Sequence, residues 1–181
     1  MNTAPADSTL PSSAGSKLFL FTAAGFDFAV PIVDVDRLFE ELDISPVPLC
    51  HPALAGVALD DDGPEPRLIP IFDLRGFLPR AEDDAEEEDL PEAIPVHVKG
   101  ATVAVFQTET GPIGMRMDRL LGTSAVAQPI DDASVVEERV AALGAELLTT
   151  VTAVARIEDR IFYTFSPEAF LMRLRVQSPS M

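Results

Sequence analysis

Asp60, Asp61, Asp62 and Glu65 put four carboxylates within six residues of the stretch "LDDDGPEP", and they are the first side chains here that could do chemistry. Clustered acids can hold a divalent cation and activate water. A calcium loop, however, needs alternating ligands and a distant bidentate glutamate, and this spacing offers neither. The expectation is therefore solvated acids in a turn, with a metal-dependent hydrolase as the remote alternative. Cys50 and His51 form a second pair, but no further ligands follow at metal-binding spacing. The single cysteine has no partner for an internal disulfide, and His97 stands alone. The chain has no G-x-S-x-G, no phosphate-cradling glycine loop, no H-E-x-x-H and no CxxC. A general acid needs an apolar wall to raise its pKa, and the remaining carboxylates lie in acidic runs and turns. No catalytic residue, metal or cofactor is assigned from these patterns, and the expectation is binding through apolar surface rather than catalysis.

The elements that would present such a surface are set by composition and periodicity. At 181 residues with 47% apolar content, the chain is long enough for a packed core, and a body of this size buries roughly 70% of its unfolded surface. A net charge of -17 repels phosphate backbones and anionic lipid, which excludes nucleic acid as a partner. No apolar run is long enough to span a membrane, so direct insertion is not expected. "MNTAPADSTLPSSAGS" carries an acid and no apolar h-region, reading as a disordered tail over 1–16 on a cytoplasmic protein. Eight acids in the eleven residues 82–92 read as a self-repelling, solvated linker.

"LFLFT" and "FDFAVPI" flank "AAG" and predict a tight β-hairpin. Val35, Leu38, Phe39 and Leu42 fall at i, i+3, i+4 and i+7, which predicts a short amphipathic helix. "GVALDDDGPEPRLIPIF" reads as two strands around an acidic turn. Within it, Pro70 marks a place where the strand leaves regular pairing. Asp73 reads as the N-cap of a short turn whose Leu74, Phe77 and Leu78 face the core, and Arg75 stays at the surface, solvated or paired with an acid. "TVAVFQTE" and "IGMRMDRLL" are further strands; in the second, Ile113, Met115 and Met117 face inward while Gly114, Arg116 and Asp118 face water. After the proline-marked "AVAQPI", Ser134 and Glu137 fit a capping box. "LLTTVTAVARIEDRIFYTF" is two β-rich runs. The closing helix over "SPEAFLMRLR" is capped by Ser166, started by Pro167 and packed by Phe170, Leu171 and Leu174.

Four of these stretches, "FDFAVPIVDVDRLF", "HPALAGV", "LIPIFDLRGFL" and "IGMRMDRLLG", resemble in order and spacing the CheW-like family of chemotaxis adaptors, over most of residues 17–175. The resemblance implies a mainly β fold of two fused five-stranded SH3-like barrels with a few short helices. The expected division is 17–80 for the first barrel, 81–96 for the acidic linker, 97–175 for the second barrel with its helix, and 176–181 for a tail. It also implies an adaptor that binds the regulatory domain of a CheA-type histidine kinase and the cytoplasmic tip of a chemoreceptor, recruited to membrane-associated arrays. By position, Val35, Leu38, Gly56 and Val57 match receptor-groove places, with Arg67 the nearest counterpart of the family's hairpin arginine. Val103 and Leu120 match places in contact with the kinase or the second barrel. A second reading keeps the fold and the kinase but not the receptor, the acidic 58–67 hairpin opposing the receptor tip.

Overall fold

A computed structural model describes residues 17–48, 53–61, 65–77, 98–130 and 150–177, with isolated positions 51, 132, 135, 136, 138, 139, 143 and 147. The acidic run 82–92, the tails, Cys50, Asp62, Leu78, His97, Ser134 and Glu137 lie outside the described residues. The strands are β1 (Leu18–Ala23), β2 (Phe26–Pro31), β3 (Val35–Ile44), β4 (Leu54–Asp60), β5 (Arg67–Phe72), β6 (Val98–Thr108), β7 (Gly111–Arg116), β8 (Arg119–Ser124), β9 (Gln128–Pro129), β10 (Val151–Ile157) and β11 (Arg160–Phe165). A closing helix runs Pro167–Gln177. The strands form a six-stranded sheet ordered β8-β1-β2-β11-β10-β9 and a five-stranded sheet ordered β3-β6-β7-β5-β4. The fold is mainly β, in two curled sheets of the SH3-like barrel kind.

The sheets do not follow the halves of the chain. Residues 17–80 give β1 and β2 to one sheet and β3 to β5 to the other, and the second half divides likewise between β6–β7 and β8–β11. Four pairings splice the halves together: antiparallel β1–β8 and β3–β6, and two short parallel contacts, Tyr163 and Thr164 against Phe28 and Ala29, and Ile71 and Phe72 against Gly114 and Met115. A boundary at the acidic run therefore separates stretches of sequence, not the two sheets.

Several local elements form as their residues dictate. Ala24 and Gly25 both take positive φ, 52° and 81°, the backbone of a two-residue hairpin turn whose twist suits the flanking strands. In the closing helix, the Ala169 N–H donates to Ser166 Oγ at 3.2 Å, the expected cap. The Arg75 N–H likewise donates to Asp73 Oδ1 at 3.0 Å, starting the short 3-10 turn Leu74–Phe77.

The helix expected over residues 35–42 is instead β3. Its pairing with β6 shifts register between Val35 and Arg37, between Phe39 and Leu42, and between Leu42 and Ile44. The first two put an extra residue in β3 and change its period of two, while the third puts the extra residue in β6. Val35 and Leu38 thus pack on one apolar cluster while Phe39, Leu42 and Ile44 pack on another. A bulged strand that packs apolar side chains on both faces imitates helical spacing.

A second correction concerns "IGMRMDRLL", which is two strands in different sheets. The chain leaves β7 at Arg116, crosses at Met117 and Asp118, and enters β8 at Arg119. Ile113, Met115 and Met117 are buried as expected, but so is Gly114, which lies against Ile71 and Val103. Pro70 also keeps its place in the ladder, opposite Val57. Val57 spends its N–H and C=O on Ser45, at 2.8 Å each. Pro70 therefore occupies a non-hydrogen-bonded site, its nitrogen turned away from β4 where no donor is needed.

Three apolar clusters result. The largest fills the space between the sheets and is rich in phenylalanine: Phe21 and Phe28 stack at 5.6 Å, and Phe170 of the closing helix meets Phe72, Phe77 and Phe165 at 5.2, 5.4 and 5.5 Å. A second, around Ile44, Ile69, Ile71 and Val103, fills the five-stranded barrel. The third, Leu20, Ala29, Ile157 and Phe162, lies on the other face of the six-stranded sheet. The seam between the sheets is thus a packed core whose margins, not its middle, reach solvent.

Candidate docking surfaces

The expected site residues fall on three separate surfaces. Val35 and Leu38 are half-buried on β3 at the margin of the inter-sheet core. They follow the 3-10 turn Ile32–Asp34, which carries Val33 at 79% exposure. Asp34 sits in this apolar margin, and burial pushes its carboxyl above the usual range. A raised carboxyl pKa means that the charged form opposes folding above that pKa, and that the penalty disappears as pH falls through it. Asp34→Asn is accordingly expected to raise the urea midpoint at about pH 7, the gain shrinking towards about pH 4. An equal gain at both pH values would place the effect elsewhere.

The second surface is the outer face of the β4–β5 hairpin. Val57 stands opposite Pro70, and Leu59 opposite Leu68. The two leucines are 53% and 68% exposed. Directly opposed residues share a face, so these four make one apolar stripe. Ala58 and Asp60 point the other way, into the barrel. Of the turn acids, Asp61 and Glu65 are exposed as expected, but Asp60 is not a solvated acid. It is 2% exposed, accepting from Arg37 Nη1 at 2.7 Å and Arg67 Nη2 at 3.3 Å. Arg37 also lies over the Phe39 ring at 5.8 Å. This triad closes one mouth of the five-stranded barrel, and it holds Arg67 on the opposite face of the hairpin from Val57. At the other end, Gly56 brings β4 against Ser45, closing the barrel through the Ser45–Val57 backbone bridge.

Leu120 belongs to the third surface, on β8 of the six-stranded sheet, at 41% exposure. Val103, paired with Arg116, is fully buried inside the five-stranded barrel, so its side chain supports a surface rather than forming one. Leu59, Leu68 and Val33 were missed by sequence reasoning. The strict alternation of "VALD" signals Leu59's face once Val57 is placed outward, but nothing in the spacing says that no other element covers it.

Motif residues that looked independent meet at the junction of the sheets. Arg75 donates to Asp73 at 3.1 Å and to Asp118, and Arg116 donates to Asp73 at 3.1 Å. Asp118 in turn accepts the Gly25 N–H at 3.1 Å, and its own N–H donates to Thr22 O at 2.7 Å. One acid-base cluster thus ties the end of β5 and the β7–β8 crossing to the β1–β2 turn. His51 Nδ1 accepts the Ala53 N–H at 3.1 Å, its ring 5.1 Å from Phe77, a structural role. Among the described residues no group of three or more His, Cys, Asp or Glu is placed to hold a metal ion, and no helix is long and apolar enough to cross a membrane.

The fold has a counterpart among solved structures: the scaffolding protein CheW from Thermoanaerobacter tengcongensis superposes with a TM-score of 0.59 at 12% identity, covering 86% of this chain and 92% of that one. A comparison with curated proteins gives no match. The model of the CheW-like domain matches residues 17–174, from the residue before β1 into the closing helix. On that match, the chain belongs to the CheW-like family.

Proposed function

We propose that the chain is a non-enzymatic adaptor of a chemosensory complex, holding a CheA-type histidine kinase and a chemoreceptor tip together on the cytoplasmic side. The observation that carries this reading is the presence of apolar side chains left exposed on strands and on the turn before β3: Leu59 with Leu68, Val33 beside the half-buried Val35 and Leu38, and Leu120. The one acid cluster that suggested hydrolysis has Asp60 committed to two arginines. In this reading the receptor's helical tip docks on Val35, Leu38 and the Val57 face that Gly56 positions, and the kinase's regulatory domain docks about Leu120, with Val103 packed behind. Each interface is of the modest size that exchangeable signalling partners use, about 1,000–1,600 Å².

Calorimetric titration of the chain with the regulatory domain of its cognate kinase tests the kinase half. Saturable binding is expected, and no heat at concentrations of about tens of micromolar would overturn it. For the receptor half, Leu59→Asp combined with Leu68→Asp is expected to abolish receptor-tip binding. Both positions are exposed, so the loss of stability should stay within about 2 kcal/mol, repulsion between two directly opposed aspartates included. Retained binding by the folded double variant would remove the hairpin from the site.

A second reading, a regulator that binds the kinase and not the receptor, is favoured by two observations: Arg67 is engaged by Asp60, and Asp61 and Glu65 stand exposed on the same hairpin as the stripe. Asp61→Asn combined with Glu65→Gln separates the two, because it removes the exposed acids and leaves Leu59, Asp60 and Arg67 in place. A gain of receptor binding supports the regulator, whereas unchanged affinity supports the adaptor.

A further inference from the structure

The two sheets differ in how they end. The five-stranded sheet closes on itself, because Ser45 and Val57 exchange both backbone hydrogen bonds between its first and last strands. No such bridge joins β8 to β9 in the six-stranded sheet among the described residues. β8 pairs with β1 along one edge, from Arg119 opposite Thr22 to Ser124 opposite Leu18, and its other edge has no strand partner among the described residues.

Beside that edge lies a cleft of about 290 Å³. Its floor is the third apolar cluster, with Leu20, Ile157 and Phe162 buried. Leu120 and Leu121 of β8 form one wall, and the β10–β11 turn forms another. Three charged groups stand around it. Arg160 is already bound to Asp27, at 2.6 and 2.9 Å. Arg119 is exposed and makes no ion pair among the described residues, and Glu158 faces the same space.

An unpaired strand edge beside a cleft is an arrangement that accepts an added strand: main-chain hydrogen bonds supply affinity, and alternate side chains meet the cleft, here an apolar floor under a polar rim of Arg119, Thr123, Ser124, Glu158 and Arg160. We propose that β8 is a docking edge for an extended peptide segment of a partner protein, one that alternates apolar with polar residues and carries a single acid for Arg119. Glu158 in the cleft sets the limit on charge. A run of acids would meet it and the net charge of -17, so the fitting segment alternates apolar with uncharged polar residues and is singly acidic. The proposal goes beyond the adaptor reading but shares β8 with it, since Leu120 is where that reading docks the kinase domain; the peptide test contains no kinase, so its failure is distinguishable from failure of that reading.

The test uses the full chain and a fluorescein-labelled synthetic peptide of about eight residues, an ordinary strand length, alternating valine and threonine with one aspartate. Three control peptides accompany it: a scrambled one, one with aspartate replaced by asparagine, and one N-methylated at alternate residues. Saturable binding below about 100 μM is expected, with amide shifts concentrated in Arg119–Ser124. N-methylation should cost at least about tenfold, since it removes the main-chain donors. Arg119→Gln should weaken the aspartate peptide about three- to fivefold and leave the asparagine peptide unchanged. No binding at about 1 mM, equal binding of the N-methylated or scrambled peptide, or shifts away from β8 would each overturn the proposal. So would sedimentation showing that a second copy already covers the edge.

Discussion

Gly56→Ala is expected to destabilise the chain by about 3–5 kcal/mol, through backbone strain and steric overlap together. Gly56 has φ of +152°, where side chains are disfavoured. A β-carbon there would overlap the Ser45 carbonyl, lying 2.8 Å from its carbon and 2.9 Å from Ile44 Cγ2. The nearest obstacle is backbone, which cannot rotate aside as a long side chain can. Relief requires β4 to move off β3, and that breaks the Ser45–Val57 bridge closing the barrel. Urea denaturation with matched m-values measures the effect. A loss below about 1 kcal/mol would mean that the closure is not held as described. The prediction bears on function as well, since a binding defect in a Gly56 variant reports loss of the barrel before it reports loss of a contact.

The second large effect concerns the barrel's opposite mouth. Arg37→Ala and Arg67→Ala together should cost about 3–5 kcal/mol at neutral pH, because they strand a buried carboxylate. Asp60 is 2% exposed and has both oxygens engaged by the two guanidinium groups. Adding Asp60→Asn to the double variant should recover more than half of the loss, since a neutral amide is cheaper to bury than an unpaired charge. Such recovery would show that the arginines serve the carboxylate. If the triple variant is no more stable than the double one, the arginines act by packing alone, Arg37 through its contact with the Phe39 ring.

Much of the local structure was legible in the residues. "AAG" between two aromatic runs makes a hairpin whatever packs on it, and Ser166-Pro167-Glu168 starts a helix by local chemistry. The two strands around the acidic turn and the inward Ile113 and Met115 were equally plain. What the residues concealed depends on long-range partners. β3 carries helical spacing because its bulges serve two apolar clusters, a property of its pairing with β6. The interleaving of halves between sheets rests on pairings between strands far apart in the chain, β1 with β8, β3 with β6, β2 with β11 and β5 with β7, which leave no mark in the local spacing. Asp60 looks like its neighbours Asp61 and Asp62. Only the strand register, which turns it inward towards Arg37, distinguishes it.

The candidate site was legible in part. Val35, Leu38 and Val57, expected in one receptor groove, reach or approach the surface on two faces, because aromatic side chains fill the space between the sheets, and Leu120, expected at the kinase contact, lies on a third. Arg67 was expected to face a partner, whereas its guanidinium is turned to Asp60. A family motif marks a position in the chain. Which way the side chain points is decided by the ladder it joins.

Coupling itself can be measured directly: an immobilised chemoreceptor cytoplasmic fragment is incubated with the kinase's regulatory domain, with and without this chain, and the retained kinase domain is quantified. The account predicts retention only when the chain is present, and loss of retention with the folded Leu59→Asp/Leu68→Asp variant. Retention that is absent with the wild-type chain, or the same without it, would contradict an adaptor that works through these surfaces.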